Sequence, residues 1–111
     1  NINVENVIIN ELNIDIKHGD VNIDNSIFNE TSSNLKMGNF NFDGKINESI
    51  YINSNIGDIT LMVNDNIENY KVNTTNIIGS VLINGKNNEN VNNGDKMISV
   101  KNKIGSISVN F

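Results

Sequence analysis

Five times along 111 residues, a glycine followed by a small polar residue separates two runs in which apolar and polar side chains alternate. The glycines are Gly19, Gly38, Gly57, Gly79 and Gly105, and the residues after them are Asp20, Asn39, Asp58, Ser80 and Ser106. Two and four places after each glycine the residue is apolar, as in Val21 and Ile23 or Ile59 and Leu61. Before the glycine, apolar residues gather one, five and seven places back, as in Ile56, Ile52 and Ile50. Alternation with period two puts every second side chain on one face of a strand, and the β-branched residues that dominate here suit a pleated surface. The parity changes at the glycine. A bend there therefore keeps both strands facing one interior, and glycine suits such a bend because it tolerates positive φ.

The glycines are spaced by 19, 19, 22 and 26 residues. A period near twenty marks a repeat architecture, in which no unit can bury its apolar face alone and stacked units can. The pattern predicts an all-β solenoid of about five coils, with residues 1–111 forming a single domain. An antiparallel β-meander with hairpins at the glycines is the alternative, and parallel in-register pairing of Ile59, Val81 and Ile107 separates the two. The wider spacings predict longer loops over 65–69 and 86–93, with the polar run Lys86–Asp95 as the longest. Residues 1–10 read as an entering strand or as a cap over the first coil, since an open solenoid end exposes backbone groups. Phe111 has the parity to face inward and close the far end. No stretch of eight or more residues has a helical period.

Composition narrows the function classes. The net charge is −5 and none of the eight basic residues is arginine, which argues against a nucleic-acid groove. Cysteine is absent, so the chain has no disulfide framework, thiolate nucleophile or zinc–thiolate site. Proline is absent too, and no strand interior is interrupted by one. About a quarter of the residues, 27 of them, are asparagine. That excess reads either as codon bias in an AT-rich genome or as an asparagine-rich recognition surface. No apolar run approaches the length of a membrane span. With no signal peptide and no initiating methionine, the chain reads as a piece of a longer protein, so any membrane attachment would come through parts outside it.

Several residue sets invite a chemical reading, and each also has a structural one. His18, the one histidine, lacks the second histidine or cysteine that a zinc or nucleophile site needs, and reads as a strand-end residue. Asp20 and Asp58 share one repeat position with Asn39 between them. A calcium-binding row is conceivable, but turn chemistry explains the position, because side-chain oxygens there bond nearby backbone N–H groups. Ser54, Asn76 and Asn102 share an inward slot three before the glycine, which predicts a buried ladder with each amide bonding the next. Asp15, Asp24, Asp43 and Glu48 could supply the paired carboxylates of glycoside chemistry only if two of them met across a cleft. Lys17, Lys36 and Lys103 form an outward row broken by Asn55 and Ile77, either a polyanion contact or a solvated edge. The triplets at Asn29, Asn47 and Asn73 match the glycosylation pattern, as chance allows in so asparagine-rich a chain. No residue set is assigned as a catalytic, cofactor or metal site.

The runs Ile56-Gly57-Asp58-Ile59-Thr60-Leu61, then Tyr70 to Val81, then Ile104-Gly105-Ser106-Ile107-Ser108-Val109-Asn110-Phe111 resemble bacterial adhesin-like domains of the DUF4097 type. Those domains are related to the toastrack domains of cell-envelope stress proteins. The resemblance is best over residues 48–111 and weaker over 11–47. It implies a right-handed, β-helix-like stack in a surface or membrane-attached protein and brings no catalytic residues with it. The combined expectation is a non-enzymatic, extracellular or envelope-associated domain of a low-GC bacterium. It would contact a cell-envelope polymer or a surface protein, with no nucleic-acid partner and no cofactor. A self-assembling scaffold and a β-helix carbohydrate-active enzyme are the alternatives.

Overall fold

A computed structural model of the protein describes residues 1–87 and 90–111. The strands are β1 (Ile2–Glu5), β2 (Ile8–His18), β3 (Val21–Met37), β4 (Phe40–Ile56), β5 (Ile59–Val63), β6 (Tyr70–Ile78), β7 (Val81–Ile83), β8 (Lys86–Asn87), β9 (Asn90–Asn92), β10 (Lys96–Ile104) and β11 (Ile107–Asn110). A single 3-10 turn, Ile67–Asn69, lies between β5 and β6, with the Asn66 side chain accepting from the Glu68 N–H.

Pairing between coils is parallel and in register, which excludes the meander. Ile59 pairs with Ile107 and Ile107 with Val81. In the first three coils the chain turns three corners. In the second coil, one short side carries Val21 and Ile23 inward, a second carries Ser26 and Phe28, and a long side carries Thr31, Ser33 and Leu35. At two corners, Asp24–Asn25 and Asn29–Glu30, a pair of outward residues resets the parity, and the pairing with β4 shifts register at both places. Asn6 and Asn25 supply the left-handed backbone at the first corner, with φ of 54° and 47°.

The third corner is the glycine. Gly38 and Gly57 hold φ of 145° and 146°. A Cβ on either would lie 1.7–1.8 Å from the carbonyl oxygen of the glycine one coil below. Glycine is therefore required twice over, for its backbone angle and for the close approach of the next coil. This bend begins one residue earlier than strict alternation suggests. The residues just before the glycine consequently swing outward, and Met37, Ile56, Ile104 and Ile78 are 43–60% exposed instead of joining the core.

The spatial order of coils departs from the chain order. β10 lies between β4 and β6, and β11 lies between β5 and β7. The fifth glycine unit is thus inserted between the third and the fourth. The wide spacings reflect this detour. After β5 the chain skips one strand position to lay down β6 and β7, then reverses at Asn84–Gly85, both with positive φ as a two-residue hairpin turn requires. β8 then runs antiparallel on β7 and β9 antiparallel on β6, before β10 and β11 fill the vacant positions. The expected loop Lys86–Asp95 therefore contains two strands that cover the end of the stack, apart from Asn88 and Glu89, which lie outside the described residues. Phe111 is partly buried against the core, as its parity predicts. It packs on Tyr70, with ring centroids 5.1 Å apart. At the opposite end residues 1–10 are no cap. β1 and the start of β2 are themselves sides of the first coil, and β1 and β2 each pair only with β3 among the described residues.

The core is the column of inward side chains. Ile50, Ile98 and Val72 stack in one row, Phe40, Ile59 and Ile107 in another, all at most 1% exposed. Each such side chain contributes about 1.5–3 kcal/mol of burial free energy. On the outside, asparagines form ladders. Asn22 donates to Asn3 and Asn41 to Asn22, Asn25 to Asn6, and Asn29 to Asn10 with Asn47 donating to Asn29. The asparagine excess thus has a structural use, because identical amides one coil apart bond along the stack.

Candidate functional site

The long sides of the coils build a five-strand outer face. In spatial order its rows are Asn13, Ser32, Tyr51, Ser99, Asn73, then Asp15, Asn34, Asn53, Lys101, Thr75, then Lys17, Lys36, Asn55, Lys103, Ile77. Tyr51 stands in the middle coil, 49% exposed. A shallow depression of about 310 Å³ on one side of its ring is lined by Ser32, Asn34, Asn53, Ser99 and Lys101. A second, of about 190 Å³, is lined by Glu11, Asn13, Glu30, Ser32 and Ser49. Strands held on both sides by neighbouring coils place these groups rigidly. Chemically the face offers one aromatic plate, a surround of hydroxyls and amides able both to donate and to accept, and one cation beside the ring.

At the corner beside this face Glu11, Glu30 and Glu48 come together. The carboxyl of Glu30 is raised above its ordinary value, first by its hydrogen bond with Glu48 and then by the charge of Glu48, with slight desolvation and the charge of Glu11 adding. Among the described residues no group of three or more His, Asp or Glu side chains is arranged to hold a metal ion.

A partly buried polar cluster escaped the sequence reading. Lys96 Nζ lies 2.8 Å from Asp65 Oδ2. The Tyr70 hydroxyl, whose residue is fully buried, lies 3.0 Å from that carboxylate and 2.9 Å from the Ile46 carbonyl oxygen, with one proton to share between them. The Lys96 hydrogen bond holds the Asp65 carboxyl well below the usual carboxylate range against its desolvation, helped by the Asn66 N–H and by Tyr70 and Asn69. Burial, and then the neighbouring carboxylate, push the Tyr70 phenol up. The three groups satisfy one another and tie the segment after β5 to β6 and to the inserted β10. Nothing local in the sequence marks them, because Asp65 and Lys96 stand 31 residues apart.

The residue sets singled out above fall as follows. His18 is exposed at the end of β2, in register with Met37. Asp20 and Asp58 belong to a ladder, although their partners lie in neighbouring coils and not within their own turn. Asp20 Oδ1 accepts from Asn39 N–H, Asn39 Oδ1 from Asp58 N–H, and Asp58 Oδ1 from Ser106 N–H. Ser54, Asn102 and Asn76 do stack in register. Their amides do not bond one another. Asn102 Nδ2 donates to the Gly57 carbonyl and Asn76 Nδ2 to the Gly105 carbonyl, each at 2.8 Å. The glycine corner leaves those carbonyls facing the slot, and they outcompete an amide chain. Asp24 and Asp43 stand at the same corner in adjacent coils, each following the registered pair Ile23 and Phe42, while Asp15 and Glu48 lie on other rows; Asp43 accepts from Asn64, and Glu48 is hydrogen-bonded to Glu30. Lys17, Lys36 and Lys103 are exposed in one row, interrupted by Asn55.

A family model described as Toastrack DUF4097 matches residues 1–110, so the likeness extends over the first two coils as well as the later ones. Comparison with curated proteins and with solved structures gives no match. A stack of glycine-cornered parallel coils, matched from end to end by that model, makes the chain a member of the Toastrack DUF4097 family.

Proposed function

We propose that this domain is a non-enzymatic, envelope-associated interaction module that holds an extended cell-envelope polymer on the outer face of its long strands. Family membership supports the envelope setting. The observation that carries the binding reading is Tyr51, half exposed between two polar depressions at the centre of a flat face. A glycan suits that chemistry. The apolar face of a sugar ring packs on an aromatic plate, its hydroxyls exchange hydrogen bonds with Ser and Asn side chains, and Lys101 attracts acidic substituents. The carboxyl pair Glu30 and Glu48 share a hydrogen bond at an exposed corner, which favours binding over glycoside cleavage, since that chemistry needs two carboxyls about 5 to 9 Å apart around the substrate.

The test is co-sedimentation of the purified protein with bacterial cell-wall material, with anionic liposomes and with neutral liposomes. Wild type pellets with the wall material and Tyr51→Ala does not, while Met62→Ser, which changes an exposed residue elsewhere, pellets as wild type. Equal pelleting of all three proteins, or none, would refute the assignment.

A further inference from the structure

The outer face of the long strands is charged unevenly from one end to the other. At the corner where β3 turns onto it stands Glu30, hydrogen-bonded to Glu48 of the next coil and close to Glu11. Six residues further along the same strand stands Lys36, with Lys103 on its row in β10. Six residues of extended strand span about 20 Å.

Between these ends, shallow depressions follow one another along β3 and β4. The first, of about 190 Å³, and the second, of about 310 Å³, share Ser32 and Tyr51. The second and a third, of about 160 Å³, share Asn34 and Asn53. Ser32 is in register with Tyr51 and Asn34 with Asn53, so the depressions line up along the strands and not across the stack. Glu30 borders the first, Lys101 the second and Lys36 the third.

We propose that the bound polymer lies along this track, parallel to β3 and β4, and that it is zwitterionic, with an amino group over Glu30 and Glu48 and an acidic group over Lys101 and Lys36. The inference rests on the polymer-binding reading and specifies its ligand. A chain crossing the coils along the Tyr51 row would meet Asn13, Ser32, Ser99 and Asn73, all uncharged, and would leave both charged ends unused. A uniformly acidic polymer gains at the lysines and is repelled by the glutamates, and a uniformly basic one has the reverse fault. A chain carrying both signs gains at each end. The hydrogen bond between Glu30 and Glu48 holds a proton between two like groups. An ammonium group has three N–H donors, so it can bond both carboxylates and lessen their repulsion while that proton passes to solvent. Asp15 also borders the third depression and offsets part of the Lys36 charge, which leaves Lys101, beside Tyr51 and Asn53, as the stronger attraction for the acid.

NMR titration of the isotope-labelled protein with N-acetylglucosamine tetrasaccharides, close in length to the track, tests it. The sugars are the unmodified form, one with a free amine at one end, one with an aldonic acid at the other, and one with both. The doubly modified sugar should bind about fivefold more tightly than the unmodified one, since each exposed charge pair contributes modestly. Glu30→Gln should remove the gain from the amine and keep the gain from the acid. Lys36→Gln combined with Lys101→Gln should do the reverse. All three positions are exposed, so circular dichroism should show an unchanged fold in each variant. Amide shifts should run along β3 and β4 from Glu30 to Lys36. Equal affinity for all the sugars, no binding of any, gains that survive in these variants, or shifts confined to the row from Asn13 to Asn73 would overturn the proposal. Tyr51-dependent pelleting with wall material, measured on the same protein, would then show that the polymer-binding reading stands without it.

Discussion

Replacing Gly57 by alanine tests the packing of the glycine corners directly. The residue holds φ of 146°, a region that side-chain-bearing residues enter at a cost of about 1–3 kcal/mol. The new Cβ would also sit 1.8 Å from the Gly38 carbonyl oxygen. That oxygen is backbone in a neighbouring coil and cannot swing away, so the second and third coils must part by more than an ångström at this corner. The bonds at risk are Gly38 N–H to Ile56 O, Phe40 N–H to Asp58 O and Asp58 N–H to Asn39 Oδ1, each worth about 1 kcal/mol net. Strain and lost bonds together come to roughly 3–6 kcal/mol, a large fraction of the 5–15 kcal/mol that holds an ordinary domain. Gly85→Ala is the matched control. It too has positive φ, 76°, but nothing lies within 4 Å of its Cβ position, and its cost should be about 1 kcal/mol. Urea denaturation followed by far-ultraviolet circular dichroism gives both values. If Gly57→Ala proved no more harmful than Gly85→Ala, close coil approach would not be what requires glycine at these corners.

Three further outcomes follow from the same structure. Asn102→Ala should cost about 1–3 kcal/mol in urea denaturation, because it removes a buried donor from the Gly57 carbonyl, whereas Asn76→Ala, at a less buried residue, should cost less. Thr31→Val should raise Tm by about 4–8 °C in a thermal melt. Its hydroxyl is buried with no partner among the described residues, and valine keeps the shape. Asp65, its carboxyl held low by Lys96, adds stability that is present above the ordinary aspartate pKa of about 3.9 and is lost as pH falls below it. Asp65→Asn should therefore be less stable at neutral pH and show a flatter loss between pH 4 and 2 in pH-dependent denaturation.

Much of the coil was legible in the sequence because parity and glycine spacing are local signals. The inward rows, the in-register meeting of Ile59, Ile107 and Val81, and the stacking of Ser54, Asn102 and Asn76 could all be read from the alignment on glycine. The order of the coils could not. Units four and five carry the same pattern, so either order satisfies the local rules. The one clue was Asn84–Gly85 after Val81-Leu82-Ile83, a hairpin signal that reverses the chain and makes the detour necessary. The outward turn of Met37, Ile56, Ile78 and Ile104 was hidden because alternation assumes a straight strand up to the glycine. Tyr51 was visible only as one of two tyrosines. Its place at the centre of a face depends on which coils flank it, and its neighbour Ser99 comes from the inserted strand.

That insertion also dictates when the molecule can be finished. The first three coils can form in the order in which they are made, each on the one before. β6 and β7 cannot do the same, because their partners β10 and β11 follow them in the chain. Until then the hairpin strands have only each other, and the third coil keeps a bare edge. The closing sixteen residues, 96–111, enter a slot already bounded on both sides, and the Lys96–Asp65–Tyr70 cluster fastens them at its mouth. The third and fourth units are therefore joined only once residues 96–111 are in place, and a chain in which that segment is detached presents two unpaired edges at once.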